Sequence, residues 1–307
     1  MDLLVIANGR FQRGRAGRRW EKVAVRLREL FGSGVEICFT SGVGDATRRA
    51  REALQCGVGW LAAAGGDGTI NEVVNGYFEN GRNIQPKTPL SFLPGGSGND
   101  WVRTLCLPTN IGLAVEALVQ SRLHIVDVGL ARFRGVNGTG AERVFLNVAE
   151  AGVGGRLIAC QKDIGWLLRS GLGYRLASMT TALFYAPVKY QLIMDGNEVL
   201  SARPLLSLIV ASGCYFGGGM RCAPMARPDD GLLEVITLGD FGWFEIIRKM
   251  KRFFNGDYLR DPKVSHCSVR TLQASSSTRV FLELDGEFAG TLPATFEVLP
   301  RALQLRY

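Results

Sequence analysis

Two glycine-rich segments carry the residue types and spacing that most directly indicate chemistry. The first, Gly65-Gly66-Asp67-Gly68-Thr69, comes directly after a buried apolar run. The second, Pro94-Gly95-Gly96-Ser97-Gly98-Asn99-Asp100, follows another short apolar run. Glycines placed directly before a helix let backbone N–H groups approach a ligand, and the helix N-terminus adds partial positive charge. Each segment therefore predicts an anion site, with a plain turn as the alternative.

The residues around the first segment sharpen this prediction. Thr69 and Glu72 have the spacing of a capping box, which predicts a helix that begins at Thr69. Familiar nucleotide motifs are absent from the sequence. There is no G-x-x-x-x-G-K-[ST], and no G-x-G-x-x-G follows the first apolar run, so a Walker-type NTPase and an ordinary dinucleotide fold are disfavoured. The second segment lacks the final glycine of G-x-S-x-G, which disfavours a serine hydrolase.

The elements that must position these segments alternate over the first 130 residues. We predict strands at 3–8, 35–40, 58–64 and 90–93, and helices at 18–31, 46–54 and 70–78. This alternation predicts a parallel, doubly wound sheet. Ligands bind at the carboxyl ends of the strands in such sheets, so both glycine segments are expected at one edge.

Strand-like runs dominate after about residue 130. We predict strands at 143–149, 188–194, 204–211, 231–238, 264–272, 279–285 and 294–299, with helical patterns at about 156–184 and 241–254. Asp195-Gly196 and Asp285-Gly286 are typical hairpin turns. The predicted fold class is therefore α/β plus β. An N-terminal doubly wound α/β domain covers 1–129, with 291–307 returning to it, and a C-terminal antiparallel β-sandwich-type domain covers 130–290.

Composition limits the classes of protein and of partner. Of the 307 residues, 47% are hydrophobic and 21% charged, which excludes disordered, collagen-like and coiled-coil chains. The net charge of +8 favours acidic partners, namely phosphate, nucleic acid or an anionic membrane. The cysteines and histidines lack metal-ligand or disulfide-framework spacing. No signal peptide or apolar run of ~18–20 residues is present, so we expect a cytoplasmic chain, peripheral at the membrane.

The ordered motifs resemble the catalytic domain of diacylglycerol kinases, in particular the soluble bacterial lipid kinases that are similar to sphingosine and ceramide kinases. The main matches are Gly65–Gly76 and Leu93–Trp101. Shorter matches follow in the family's order along nearly the whole chain, at Thr40 with Gly44–Ala46, Asp127–Gly129, Phe145–Asn147, Gly152 with Gly154, Gly217–Met220, Ala223-Pro224, Asp230–Leu233 and Leu284–Glu287. The resemblance implies an N-terminal domain like those of NAD kinases and diacylglycerol kinases.

The resemblance also implies an activity and site residues, namely ATP-dependent phosphorylation of a lipid hydroxyl with Mg²⁺. The implied catalytic residues are Glu287, as the proton acceptor, with Asp285 and Asp100. The implied ATP-binding residues are Asn8, Thr40, Gly65, Gly66, Asp67, Gly68, Thr69, Ile70, Asn71, Glu72, Gly95, Gly96 and Ser97. The implied Mg²⁺ ligands are Asp230 with the carbonyls of Arg227 and Leu232 at a structural site, and Asp67, Asp100 and Asp127 at a catalytic site.

Some features leave alternatives open. Relatives often have Asn-Pro-x-Ser-Gly after the first strand, whereas this chain has Asn8-Gly9-Arg10-Phe11-Gln12. Asp230-Gly231 is equally typical of a plain turn. The expected partners are ATP and a lipid acceptor in a membrane, and not nucleic acid, since no aromatic-studded RNA motif is present. A kinase of a soluble acceptor such as NAD and a catalytically silent lipid- or nucleotide-binding regulator are the alternatives. The acceptor lipid and a homodimeric state stay open.

Positive charge concentrates in two places. Residues 1–30 hold eight Lys and Arg against three acidic residues. The predicted helix at 241–254 carries a second group, Arg248, Lys249, Lys251 and Arg252, which a helical wheel places opposite Trp243, Ile246, Ile247, Met250 and Phe254. This basic face is either solvated or docks on a membrane.

Overall fold

A computed structural model describes residues 3–12, 14–163, 185–200 and 203–307. The chain divides into two compact units. The first comprises Met1–Val128 together with Leu299–Tyr307, and the second comprises Gly129–Val298. Both ends of the chain therefore contribute to the first unit.

The first unit is a parallel sheet with helices on both faces. Its strands are β1 (Leu3–Ala7), β2 (Val35–Phe39), β3 (Trp60–Gly65), the short hairpin β4 (Phe78–Glu79) and β5 (Arg82–Asn83), and β6 (Leu90–Pro94). The order β2-β1-β3-β6 is parallel throughout. The helices are α1 (Gly14–Phe31), α2 (Asp45–Gln55), α3 (Asp67–Tyr77), α4 (Asp100–Thr104) and α5 (Ile111–Ala117).

Burial of the central strands explains their apolar sequence. Every residue of β3 is buried, as expected for a parallel strand covered on both faces. Helix α1 contributes Trp20, Val23 and Leu27 to the core on one face, because residues three, four and seven apart share one side of a helix. On α3, a Cβ on Gly76 would lie 2.5 Å from the Cβ of Ala50, so glycine lets α2 and α3 pack closely.

The second unit is built from antiparallel strands. Its strands are β7 (Leu123–Gly135), β8 (Gly140–Phe145), β9 (Val148–Gly152), β10 (Gln191–Met194), β11 (Asn197–Leu200), β12 (Ser207–Ala211), β13 (Leu233–Leu238), β14 (Val264–Val269), β15 (Thr271–Ser275), β16 (Phe281–Leu284) and β17 (Glu287–Arg306), of which β7 begins and β17 ends in the first unit. The α-helices among its described residues are α6 (Val153–Asp163) and α7 (Trp243–Asn255). Strands β14-β13-β12-β9-β16-β17 pair in that order. The predicted α/β plus β fold class is confirmed.

Two predicted strands, 143–149 and 264–272, are each split in the structure. The first is interrupted between β8 and β9, and the second between β14 and β15. At each break, backbone N–H groups donate to an aspartate of a hairpin turn instead of to a neighbouring strand. Asp285 accepts at the first break and Asp195 at the second.

Both Asp-Gly hairpin turns were predicted correctly. The aspartate has a φ of 48° and the glycine a φ of 82° in each turn, the two positive values of a type I′ turn. Of the helical pattern at 156–184, residues 164–184 lie outside the described residues, and α6 covers the beginning. In the described part of the chain, no helix has the length and hydropathy of a membrane span.

Candidate active site

Loops at the carboxyl ends of β1, β2, β3 and β6 lie in contact, as expected for a parallel sheet. The Nδ2 of Asn8 donates to the Oγ1 of Thr69 at 2.9 Å. The backbone N–H of Gly9 donates to the Oγ1 of Thr40 at 3.2 Å. The N–H of Gly95 donates to the carbonyl of Gly65 at 2.8 Å. These bonds join the four loops that contain the implied ATP-binding residues of the first unit.

Glycine is required where the two glycine segments meet. A Cβ on Gly96 would lie 2.6 Å from the Cα of Gly66, and a Cβ on Gly65 would lie 2.5 Å from the Oγ1 of Thr69. A Cβ on Gly95 would lie 2.1 Å from the ring of Phe11, which stacks on Trp20. Gly95, Gly96 and Ser97 remain exposed. The loops therefore present backbone groups to solvent while they pack against each other.

The predicted start of α3 is wrong. The helix begins at Asp67 with Gly66 as its N-cap, and no side chain caps it. The carboxylate of Glu72 instead accepts the N–H groups of Gly44 at 2.9 Å and Ala46 at 3.1 Å, at the start of α2. The hydroxyl of Thr69 accepts a hydrogen bond from Asn8 instead of capping the helix. The capping-box pattern is present in the sequence, but its glutamate satisfies the N-terminus of a different helix.

The other implied ATP-binding residues of this segment lie within α3. Ile70 and Asn71 are buried. Asn71 accepts the Nδ2 of Asn75 one turn later. Gly68 lies in the first turn of α3 beside Asp67. The first turn of α3 thus combines an uncapped N-terminus with backbone that a glycine segment leaves accessible, which is the physical requirement for binding an anion.

Two of the three carboxylates predicted to hold a catalytic Mg²⁺ accept backbone N–H groups from different segments. Asp67 accepts the N–H of Trp101 at 3.4 Å through Oδ1, and Asp100 is the first, buried residue of α4. Asp127 is also buried, and its Oδ1 accepts the N–H of Arg301 at 2.7 Å. Oxygen ligands suit Mg²⁺ by type. Within the described ranges, no three His, Cys, Asp or Glu side chains are grouped to hold a metal ion, and the metal role of Asp67, Asp100 and Asp127 stays a prediction.

The predicted structural Mg²⁺ loop has the geometry of a turn. Gly231 has a φ of 74°, and the carboxylate of Asp230 accepts the N–H of Leu232 at 3.1 Å. The Nε of Arg227 lies 3.5 Å from a carboxylate oxygen of Asp229. The Asp230 side chain therefore closes its own turn. The metal role of Arg227, Asp230 and Leu232 stays a prediction.

In the second unit, Glu287 forms an ion pair that the sequence did not indicate. It is the first residue of β17, and its Oε2 lies 2.6 Å from the Nη2 of Arg143 on β8. The side chain of Glu287 is 35% exposed, and that of Arg143 is 20% exposed. The predicted proton acceptor is therefore accessible to solvent and held in orientation by a guanidinium group.

Asp285 has a structural role. Its Oδ2 accepts the N–H of Leu146 at 2.8 Å, and its Oδ1 accepts those of Asn147 at 2.8 Å and Val148 at 3.0 Å. Its own N–H donates to the carbonyl of Val148. Both carboxylate oxygens are thus used to fasten the turn to the chain between β8 and β9. These bonds fasten the turn that precedes Glu287, and the catalytic role of Asp285 stays a prediction.

Sequence reasoning missed two buried glutamates behind this turn. Glu150 on β9 and Glu283 on β16 lie directly opposite each other. Glu150 accepts the N–H of Gly154 at 3.1 Å, the N–H of Gly155 and the hydroxyl of Ser207. Glu283 accepts the N–H of Gly286 at 2.6 Å, inside the turn that precedes Glu287. The available signal was a single glutamate within each of two apolar strands.

Burial controls the charge of this pair. It raises the pKa of Glu150 to about 7, although the hydrogen bonds from Ser207, Gly155 and Gly154 oppose the rise. Burial, assisted by the nearby Glu150, raises the pKa of Glu283 well above its ordinary value. Because two adjacent buried carboxylates disfavour ionisation of each other, the pair retains protons at pH values where exposed glutamates are ionised.

Family comparisons cover both units. Residues 2–131 match the diacylglycerol kinase catalytic domain, and residues 147–307 match the YegS C-terminal NAD kinase beta sandwich-like domain.

Individual relatives match over most of their length. A diacylglycerol kinase of Staphylococcus carnosus is 31% identical over 270 residues, which cover 87% of this chain and 82% of the relative. A probable YegS-like lipid kinase of Chromohalobacter salexigens is 32% identical over 85% of this chain and 80% of its own length.

Solved structures share the fold. A putative diacylglycerol kinase from Bacillus anthracis has a TM-score of 0.77 at 24% identity, with 100% of this chain and 97% of that chain covered. Yeast NADH kinase complexed with NADH has a TM-score of 0.56 at 10% identity, with 100% and 82% covered.

Proposed function

Because the chain belongs to the diacylglycerol kinase catalytic-domain family, and is thus a lipid kinase, we propose that it transfers the γ-phosphoryl group of ATP to a hydroxyl group of diacylglycerol. The contact between the two glycine segments in the first unit carries the proposal. It leaves exposed backbone at Gly95–Ser97 beside the uncapped N-terminus of α3. The name of the Staphylococcus carnosus relative supports diacylglycerol ahead of sphingoid, ceramide or phosphatidylglycerol acceptors.

In this proposal, the first unit binds ATP. Phosphoryl transfer depends on positioning and on neutralising charge more than on covalent assistance. The N–H groups of the first turn of α3 and of the second glycine segment bind phosphate oxygens, and the hydroxyls of Thr40, Thr69 and Ser97 lie on the same set of loops. Asn8 fixes Thr69, and Glu72 fastens the start of α2 to α3. Mg²⁺ enters as part of the MgATP substrate.

In the second unit, Glu287 removes a proton from the acceptor. A lipid hydroxyl is a weak nucleophile, and a carboxylate that accepts its proton assists the attack on phosphorus. The proton moves to an Oε atom of Glu287, the new bond joins the hydroxyl oxygen to phosphorus, and ADP leaves. Arg143 orients the carboxylate, and Asp285 and Glu283 hold the turn that carries it. The acceptor is a membrane lipid, so the enzyme contacts the bilayer peripherally.

The test is transfer of label from [γ-³²P]ATP. The full chain is incubated with a total lipid extract, with diacylglycerol alone, and with NAD. Label is expected in phosphatidic acid. Label that enters only NAD would overturn the lipid acceptor.

A matched pair of variants isolates the role of Glu287. Glu297 lies on the same strand, is 29% exposed, and pairs with Arg132 at 2.8 Å, so it resembles Glu287 in exposure and in having an arginine partner. Glu287→Gln is expected to lower kcat by about 100-fold or more, in the range of general base catalysis. Glu297→Gln is expected to leave kcat unchanged. Equal activity of the two variants would remove Glu287 from the mechanism.

A further inference from the structure

The solvent face of α7 places aromatic and basic side chains together. Phe244 is 72% exposed, and Arg248 and Lys251 are exposed one and two turns later. Residues four and seven apart lie on one side of a helix, so these three side chains form a stripe. Arg252 and Phe254, the latter 49% exposed, flank the stripe. We call these five residues the α7 patch.

The opposite side of α7 is fixed to the second unit. Ile246 and Phe253 pack against the core of that unit. The Nζ of Lys249 lies 2.6 Å from a carboxylate oxygen of Asp261, whose side chain is only 6% exposed. The helical-wheel prediction is therefore wrong at two positions: Lys249 faces inward to Asp261, and Phe254 faces outward. The helix is anchored by its inner side, so the α7 patch keeps its orientation.

The cations of the α7 patch differ from neighbouring lysines in their ion pairs. Lys249 and Lys263 pair with Asp261 and Glu245. By contrast, no ion pair among the described residues involves Arg248, Lys251 or Arg252. Three exposed cations and two exposed phenyl rings on one anchored helix combine electrostatic attraction to anions with apolar area that water solvates poorly.

Exposed cations beside exposed phenyl rings are suited to binding a lipid surface. Phenyl rings enter the boundary between headgroups and acyl chains, while arginine and lysine side chains reach the lipid phosphates. We propose that the α7 patch docks the enzyme on the surface of an anionic bilayer. The proposal rests on the proposed function, because a diacylglycerol acceptor resides in the bilayer and the enzyme must reach it there.

Vesicle binding tests the proposal directly. The full chain is mixed with phosphatidylcholine vesicles and with vesicles of phosphatidylcholine and phosphatidylglycerol in equal parts, and the bound fraction is measured by cosedimentation at low and high salt. Each basic residue near an anionic surface strengthens partitioning about fivefold. The variant R248Q/K251Q/R252Q is therefore expected to bind the mixed vesicles about 100-fold more weakly than the unsubstituted chain.

A matched control separates the α7 patch from net charge. Arg18, Arg19 and Lys22 are exposed on α1. The variant R18Q/R19Q/K22Q removes the same charge and is expected to bind vesicles nearly as well as the unsubstituted chain. Unchanged binding by the α7 variant, or equal losses in the two variants, would overturn the proposal. The variant F244S/F254S is expected to lose the part of binding that persists at high salt, and full retention of that part would equally overturn it.

A second readout distinguishes this proposal from the proposed function. On a short-chain diacylglycerol that is dissolved as monomers, the α7 variant is expected to keep its kcat, while its rate on vesicle-borne diacylglycerol falls with its binding. If the unsubstituted chain phosphorylates no lipid but binds anionic vesicles through the α7 patch, the proposed function fails and the docking surface stands. If activity on monomeric acceptor falls equally, the substitutions act on the enzyme itself and the docking proposal is refuted.

Discussion

Replacing Glu150 by glutamine is expected to remove a pH dependence from the stability of the protein. Glu150 is buried on β9 opposite Glu283, and burial raises its pKa from an ordinary value of 4.5 to about 7. Between these two pH values the folded protein keeps a proton on Glu150 that the unfolded chain has released. Stability therefore falls as pH rises, since the unfolded state binds fewer protons than the folded state.

The size of the effect follows from the pKa difference. One pKa unit corresponds to ~1.36 kcal/mol, so a rise from 4.5 to about 7 amounts to about 3 kcal/mol. This contribution is fully present below pH 4.5 and is lost as pH rises through about 7. It amounts to roughly a 300-fold change in the ratio of folded to unfolded molecules.

The assay compares urea unfolding of the unsubstituted chain and Glu150→Gln at pH 5 and pH 8. Glutamine cannot accept hydrogen bonds from Gly154, Gly155 and Ser207 as a carboxylate does, so a constant cost is expected at both pH values. The quantity of interest is the change in that cost. Relative to the unsubstituted chain, the free energy of unfolding of the variant should rise by about 2.5 kcal/mol between pH 5 and pH 8.

The comparison has a control and a clear refutation. Glu198 is exposed on β11, and Glu198→Gln removes a carboxylate that water already solvates. If the free energies of unfolding of Glu150→Gln and of the unsubstituted chain differ by the same amount at pH 5 and pH 8, the argument that Glu150 is buried with its proton is refuted. An identical gain in Glu198→Gln would show that the pH effect comes from net charge.

Three further predictions concern the loops and the turns. Gly96→Ala is expected to raise the KM for ATP about tenfold, because its Cβ would meet the backbone of Gly66 at 2.6 Å, whereas Gly140→Ala, with nothing within 4 Å, should not change it; steady-state kinetics checks both. Asp285→Ala is expected to cost about 3 kcal/mol in urea unfolding, because three N–H groups lose a charged acceptor. Hydrogen bonds from Thr271 and Arg270 lower the pKa of Asp195, so its contribution to stability should be present above the unfolded pKa and lost as pH falls through the folded pKa; urea unfolding of Asp195→Asn should lack this pH dependence.

The sheet and the position of the glycine loops could be predicted because their signals are local. A buried apolar run, followed by glycines and then by a helical pattern, fixes β3, its loop and α3 without reference to the rest of the chain. The parallel topology then brings the loop at Gly95 to the loop at Gly65. The predicted start of α3 was wrong, because the partner of Glu72 lies 28 residues earlier, at Gly44.

What the sequence did not predict depends on partners distant in the chain. The interruption of the strand at 146–147 comes from Asp285, and the interruption at 270–271 comes from Asp195. Neither segment contains a glycine or a proline that would indicate a break. Arg143 was missed for the same reason, because its partner Glu287 is 144 residues away. On α7, the inward position of Lys249 requires Asp261 on the following segment, which a helical wheel of α7 alone does not contain.

A comparison of the two Asp-Gly turns shows which features the hairpin requires and which are specific to the candidate site. Asp195 and Asp285 have the same backbone conformation and fasten a neighbouring segment in the same way. Two residues before the aspartate, the first turn has Ile193 where the second has Glu283. The first turn forms without a buried carboxyl group, so the hairpin itself does not require one. The free-energy cost of burying Glu283 against Glu150 therefore has to be explained by something specific to the second turn, and the feature that distinguishes that turn is the carboxylate of Glu287 directly after it.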